Sequence, residues 1–371
     1  MLILRAGDAL ARDLSPAKIE SALEISPPGA SPRRLNLKEA MRALHVPALS
    51  VALIDGNRIA WTKTWGDATS QTMFQAASLS KLVTAVGALR LVERGALALD
   101  RDVNDDLTIW NAQQSALTKN HPVTLRWLLS MRAGVNVPGY PGYPPGAPTP
   151  DLAQILSGAP PATSPAVRVV DVPGRAYAYS GGGYEIVQAL VEAKSGKSFE
   201  AAMRELVFGP AKMTESSFAQ PPSPSIVSRA ARGHFADGAE LPGGWRVVPA
   251  LAAGGLWSTP NDLAKLLVEL SRAHRGEGNP LLSRKTALEM MTPQNGGPYG
   301  LGGAVAGSGK RFVLMKRGQN VGYQSYMLVF PETGQGIVVM TNSDNGTTLA
   351  TAVIYRAAAA YRWPALDKLE D

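Results

Sequence analysis

The chain has 371 residues, of which 45% are hydrophobic, and a net charge of +7, enough for one large domain or two intimate ones around a substantial core. It has no cysteine, which excludes disulfides, thiolate metal sites and a cysteine nucleophile and leaves the redox compartment open. Its basic residues are interrupted by acids and aromatics make up only 6%, so the basic stripe of a nucleic-acid binder is missing.

The chain opens on Met1-Leu2-Ile3-Leu4-Arg5, too short and too soon charged for a secretory core. The expected location is cytoplasmic, or periplasmic if a leader has been removed. No apolar run approaches the roughly 20 residues of a transmembrane helix. Ser15-Pro16-Ala17-Lys18 reads as a helix start, with a capping serine and proline at the first helical position, and residues 15–45 read as helical. Ala48 to Ile54 and Arg58 to Thr62 read as two strands about a tight turn at Asp55-Gly56-Asn57.

Ser78-Leu79-Ser80-Lys81 opens the next helix, which runs through apolar residues at helical spacing to Glu93-Arg94-Gly95. Residues three apart share a helix face, so this spacing sets a hydroxyl beside an amine and can make a nucleophile without histidine. Burial would disfavour the charged form of Lys81, and the helix start favours the negative charge of an attacked carbonyl. A capping serine and a snorkelling lysine give the same pattern, so the tetrapeptide alone leaves both readings open.

Residues 134–175 are rich in proline and glycine, densest at Pro138-Gly139-Tyr140-Pro141-Gly142-Tyr143-Pro144-Pro145-Gly146. A long surface loop is expected, and it is a candidate cover for the site. Helical patterns resume at 184–205 and at Pro260 to Leu270; Ser325–Phe330 and Gly336–Thr341 form a hairpin about Pro331 to Gln335; 347–361 reads as a closing alanine-rich helix. Strands at both ends with helices between predict one sheet assembled from the two ends.

Two more segments complete an ordered set: Tyr177-Ala178-Tyr179-Ser180-Gly181-Gly182-Gly183-Tyr184 and Lys316-Arg317-Gly318-Gln319-Asn320-Val321-Gly322-Tyr323. In this order the chain resembles the serine β-lactamase and penicillin-binding-protein superfamily, in particular its class C β-lactamase-like esterases and D-aminopeptidases. That family's signature is S-x-x-K, then Y-x-N, then K-T-G or H-x-G. Gly95-Ala96-Leu97-Ala98-Leu99-Asp100, Val123-Thr124-Leu125-Arg126-Trp127-Leu128-Leu129-Ser130 and Gly254-Gly255-Leu256-Trp257-Ser258-Thr259-Pro260 resemble its secondary signatures, and the likeness covers about residues 45 to 345.

The resemblance implies an α/β (α+β) fold, an antiparallel sheet flanked by helices with a mostly helical region. The division expected is 1–75 with 250–371 as the sheet domain and 76–249 as the helical one. It implies Ser78 as acylated nucleophile, Lys81 as its base, Tyr179 as the second acid/base and Lys316 as the charge favouring the phenolate. Backbone N–H groups of Ser78 and Gln319 would form the oxyanion hole.

The departures are at Gly181, where the family has asparagine, at Arg317, where it has a hydroxyl residue before Gly318, and at Met131-Arg132-Ala133-Gly134, where many relatives carry polar side chains. Gly181, Arg317 and Gly318 are the expected substrate-binding positions, with Lys310, Arg311, Lys316 and Arg317 as a small basic cluster; Arg317 also reads as a solvated residue on a strand edge. An ester alkoxide leaves more easily than an amide nitrogen, so loss of the asparagine favours hydrolysis of small carboxylic esters. An amidase, D-aminopeptidase or weak β-lactamase, an acyltransferase and an inactive binding protein are the alternatives. A small ester or amide is the expected partner, with no cofactor and no metal.

Other patterns carry no chemistry. Gly181 to Gly183 lacks the following acid of a dinucleotide turn, and Gly302 to Arg311 lacks the residues of a P-loop. No G-x-S-x-G or H-E-x-x-H is present among the four-histidine complement of the chain. Asn345-Gly346-Thr347 is a glycosylation sequon by pattern only.

Overall fold

The structure, a computed structural model, describes residues 13–26, 31–278, 281–364 and 366. The N-terminal pentapeptide lies outside them. A 3₁₀ turn at Pro16–Ile19 leads to strands β1 (Leu23–Ile25) and β2 (Arg33–Leu35), helix α1 (Leu37–Ala43), and strands β3 (Ala48–Asp55), β4 (Arg58–Gly66) and β5 (Phe74–Gln75). The helical stretch follows: α2 (Leu79–Glu93), α3 (Leu125–Leu129), α4 (Leu152–Ser157), α5 (Gly181–Ser195), α6 (Phe199–Met203), α7 (Pro224–Val227) and α8 (Leu251–Gly254). Next come β6 (Trp257–Ser258), α9 (Pro260–His274), α10 (Arg284–Met290), β7 (Ala304–Ala306), β8 (Val313–Asn320), β9 (Tyr323–Phe330), β10 (Gln335–Thr341) and α11 (Gly346–Ala360).

The main sheet is antiparallel throughout, in the order β4-β3-β10-β9-β8-β7. Its strands come from both ends of the chain, as the sequence pattern predicts. Gly56 and Asn57 both take positive φ, 57° and 56°, which matches the twist of a two-residue hairpin turn. Thr341 of β10 pairs with Leu49 of β3, and Gly336 with Ile54, which joins the two chain ends. Strands β9 and β10 are buried along their whole length, so both sheet faces must be covered. Helices α9 and α11 pack on them.

The reading of residues 15–45 as helix is corrected: that stretch holds a 3₁₀ turn, the β1-β2 pair and α1. The apolar residues Leu23 and Ile25 alternate with Glu24 in a buried-exposed-buried pattern, period two rather than 3.6. The Pro27-Pro28-Gly29 run in the sequence is a breaker that a helix over 15–45 ignores. The start at Ser15 does hold, since the Ser15 side chain accepts from Ala17 N–H with Pro16 at the first helical position.

Helix α2 is buried on nearly every side from Leu79 to Leu89. A helix apolar all round belongs in the middle of a protein. It packs against α5 and α8 on one side and β8 and β9 on the other. Its first turn therefore sits where the helical stretch meets the sheet.

Candidate active site

The turn before α2 is strained: Ala77 takes φ 51°, a left-handed conformation a non-glycine residue holds only when its surroundings over-determine it. Ser78 follows as the cap residue and makes no side-chain capping bond. It is half-buried, whereas Lys81 is 1% exposed. The Lys81 ammonium donates to Ser78 Oγ at 3.0 Å and to the Ala253 carbonyl at 2.7 Å. Ala253 lies in the single turn of α8, where carbonyls lack intrahelical partners.

Burial lowers the pKa of Lys81; Tyr179 raises it by charge and hydrogen bonding, Lys316 lowers it further and Glu185 raises it. Burial is the dominant effect, so the amine is biased towards its neutral form. The Tyr179 ring centre stands 5.1 Å from Lys81 Nζ and 5.1 Å from Lys316 Nζ. Two lysine Nζ atoms thus flank one phenol ring.

Strand β8 supplies the other wall. Lys316 is fully buried, and Lys316 and Gly318, two apart on the strand, share a face. A Cβ on Gly318 would stand 2.4 Å from the Ala76 carbonyl and from Ser325 Oγ, and 3.1 Å from Ser78 N. Glycine is required so that the strand can close on the nucleophile turn. Ser325 on β9 pins that turn by donating to the Ala76 carbonyl at 2.8 Å. Arg317 alternates to the opposite sheet face from Lys316, and Lys310 and Arg311 sit in an exposed 3₁₀ turn. The expected basic cluster is therefore not gathered at Ser78.

Helix α5 brings Tyr179 into place. Its first N–H groups are taken up locally: Gly181 N–H donates to the Pro138 carbonyl, Gly182 N–H to the Val137 carbonyl, and Gly183 N–H to Ser180 Oγ at 2.9 Å. This explains the glycine run and leaves no open anion-binding turn. A Cβ on Gly182 would stand 2.8 Å from the Asn136 carbonyl, and one on Gly181 would meet the Pro138 carbonyl and Tyr140 Cε2 at 3.2 Å. The loop fills the direction in which a side chain at 181 would extend.

The unusual Met131-Arg132 pair is used structurally. Ser180 N–H donates to Met131 Sδ, and the buried Arg132 guanidinium donates to the carbonyls of Gln294 and Asn295. Asn345 of the sequon is committed inward, donating to the carbonyls of Leu44 and Ala236.

A cavity of about 40 Å³ opens at Ser78 and Lys81, closed by Gly139 and Tyr140 of the loop and by Gln319 and Asn320 of β8. That is about the room of one water molecule. Larger hollows exist, such as one of about 740 Å³ bordered by Glu24, Arg34 and Tyr355, but they lie away from the serine, lysine and tyrosine. Gly181, Gly318, Arg317, Tyr179 and Lys316 do not line the small cavity itself.

Sequence reasoning passed over several residues that build this site. Asn320 donates to Gln75 Oε1 at 2.8 Å and to the Gly254 carbonyl at 3.2 Å, tying β8 to the floor beneath Lys81. Glu185 is fully buried and accepts from Ala253 N–H at 3.0 Å. A signal for Glu185 existed: an acid inside the apolar run Tyr184 to Val187, four residues after Gly181. Ala253 gave none, whereas Tyr140 lies in the proline- and glycine-rich loop expected to cover the site. Among the described residues no group of histidines, aspartates or glutamates is placed to hold a metal ion, and no helix is long and apolar enough to cross a membrane.

The sheet with its helical region and the Ser-Lys-Tyr site at their junction define a protein of the β-lactamase and penicillin-binding-protein fold. The octameric penicillin-binding protein homologue from Pyrococcus abyssi superposes with a TM-score of 0.71 at 24% identity, covering 87% of this chain and 75% of that one. The D-amino acid amidase from Ochrobactrum anthropi SV3 gives 0.68 at 23%, covering 88% and 96%, and the penicillin binding protein from Bacillus halodurans gives 0.66 at 21%, covering 87% and 99%. At these identities the likeness is one of fold.

A family model described as Beta-lactamase matches residues 34–362, and the chain belongs to that family. "Protein flp" of Staphylococcus aureus strain N315 is 22% identical over 316 residues, 80% of this chain. The chain spans about 60% of the length of the curated relatives it matches.

Proposed function

We propose that this chain is a serine hydrolase that works through an acyl-enzyme at Ser78, with small carboxylic esters as its main substrates. The observation that carries the reading is the contact of a buried lysine with a half-buried serine, Lys81 Nζ to Ser78 Oγ at 3.0 Å, beside a phenol. Lys81, biased to the neutral amine by burial, takes the Ser78 proton as Oγ attacks the ester carbonyl. The oxyanion is received by the N–H groups of Ser78 and Gln319, which border the same cavity. Tyr179 passes a proton to the leaving alkoxide, and Lys316 balances the charge on the phenol. Water then attacks the acyl carbon as the Tyr179 phenolate takes its proton, and the acyl–Oγ bond breaks as Lys81 returns its proton to Ser78 Oγ, releasing the acid.

Ester over amide rests on Gly181. With no side chain there, the site lacks an amide-holding donor and acceptor, and an alkoxide needs less help to leave than an amide nitrogen. Amide hydrolysis is the second reading, favoured by the D-amino acid amidase whose chain is matched over 96% of its length.

The test is a fluorophosphonate label and a p-nitrophenyl butyrate burst, with the modified residue read by mass spectrometry in wild type and Ser78→Ala. A label and burst confined to Ser78 support the hydrolase reading; no label on folded protein overturns it. Turnover of D-phenylalanine amide or a chromogenic cephalosporin rivalling the ester would overturn the ester preference alone.

A further inference from the structure

Removing the side chain at 181 strips one helical turn of its polar group, and the next side chain on that face of α5 is four residues on, at Glu185. Glu185 is fully buried. Its Oε1 accepts from Ala253 N–H at 3.0 Å, and the Ala253 carbonyl accepts from Lys81 Nζ at 2.7 Å, which in turn donates to Ser78 Oγ. One residue, Ala253, therefore links the carboxyl to the amine through its two successive peptide groups. One residue earlier the pattern repeats, with Gln188 Oε1 accepting from Ala252 N–H and the Ala252 carbonyl accepting from Thr84. Helix α5 thus holds the N–H side of α8 while α2 uses its carbonyl side.

The second carboxyl oxygen, Oε2, is buried without a partner, as is the Tyr140 hydroxyl. An unpaired buried acceptor costs about 1–3 kcal/mol. Glu185 lies within electrostatic reach of Lys81 from α2, Tyr140 from the loop and Glu192 from its own helix; Tyr179 and Lys316 face Lys81 from the other side.

We propose that Glu185 is a positioning residue for the acylating base: through Ala253 it fixes where the Lys81 amine sits, and through its charge it sets the pH at which that amine is free. The inference rests on the acyl-enzyme reading of Ser78. Burial pushes the Glu185 carboxyl up to about 8, with the Ala253 N–H and Lys81 pulling it down and Glu192 pushing it up. The carboxyl and the amine therefore titrate as a pair.

The experiment is the p-nitrophenyl butyrate burst from pH 5 to 10 in wild type, Glu185→Gln and Glu185→Ala. Glutamine keeps the acceptor for Ala253 N–H and removes the charge. Since Glu185 raises the proton affinity of Lys81, the expected result for Glu185→Gln is an acid limb displaced to lower pH, with KM within about twofold of wild type. Glu185→Ala is expected to lose, in addition, about tenfold in plateau kcat. A Glu185→Gln profile that superimposes on wild type, or a limb displaced upward, overturns the proposal and leaves Glu185 as an anchor of α8.

The same pair can be read without turnover, by difference infrared titration of the Glu185 carboxyl in wild type and Lys81→Met, with Glu185→Gln assigning the band. Loss of the amine is expected to keep the carboxyl protonated to higher pH; an unmoved titration overturns the proposal. If wild type acylates nowhere while this titration moves, the hydrolase reading falls and the Lys81–Glu185 coupling stands.

Discussion

The chain contains the same tetrapeptide pattern twice, and the two copies fold into different things. At Ser15-Pro16-Ala17-Lys18 the serine caps a 3₁₀ turn and the lysine reaches Asp13 at 3.1 Å with its side chain 36% exposed. At Ser78-Leu79-Ser80-Lys81 the serine makes no capping bond and the lysine, 1% exposed, turns to the serine itself. Both copies obey the same local rule, that residues three apart meet on a helix face. What separates them is solvent: the Lys18 side chain reaches water, whereas Lys81 is buried and burial lowers its pKa.

The sharpest break of the comparison is the serine pair. Ser78→Ala is expected to abolish the burst and lower ester turnover by about a thousandfold or more, while Ser15→Ala leaves turnover within about twofold. Equal losses in steady-state assays of the two variants would erase the distinction. The lysines come next. Lys81→Met is expected to cost about a hundredfold or more in kcat with the fold retained, against no change in Lys18→Met, because general-base loss removes a step the cation at position 18 never serves.

A smaller effect tests whether the nucleophile turn depends on the sheet. Gly318→Ala puts a Cβ within 2.4 Å of two oxygen atoms and is expected to cost about 1–3 kcal/mol in urea unfolding, with ester turnover falling as β8 is pushed from Ser78. Retained stability together with full turnover would show that β8 can give way.

Burial should also be visible in stability against pH. The folded Glu185 carboxyl is raised to about 8 from 4.5, so between those values the folded chain binds more protons than the unfolded one, and this group's contribution falls as pH rises through that window. The melting-temperature advantage of Glu185→Gln over wild type is therefore expected to grow from pH 5 to pH 8; a constant difference would contradict the raised carboxyl. The smallest expected effect is the cap: Ser15→Ala should cost about 1 kcal/mol or less in unfolding.

Much of the frame was legible. The β3-β4 turn at Gly56-Asn57, the β9-β10 hairpin, α2, α9 and α11 all follow from periodicity and turn chemistry, because each is a local pattern with its own apolar face or stop signal. The stretch 15–45 was misread where a short strand's alternation was taken for a helix. Among the site residues, Ser78, Lys81, Tyr179, Lys316 and Gln319 could be placed by motif order, and the structure gathers Lys81, Tyr179 and Lys316 within about 5 Å of one ring. Arg317 could not be aimed from the sequence, since one residue's shift along a strand changes the sheet face.

By itself the sequence determined most of the long elements, the family and the order in which the serine, lysine and tyrosine arrive, since these are written in spacing and composition. The tertiary structure alone decided that α8 lends Lys81 a carbonyl, that Tyr140 occupies the space left by Gly181, and that Glu185 stands behind Lys81. Each of these depends on contacts between segments far apart in the chain, where the energy comes from excluded water and close packing and no local spacing records it.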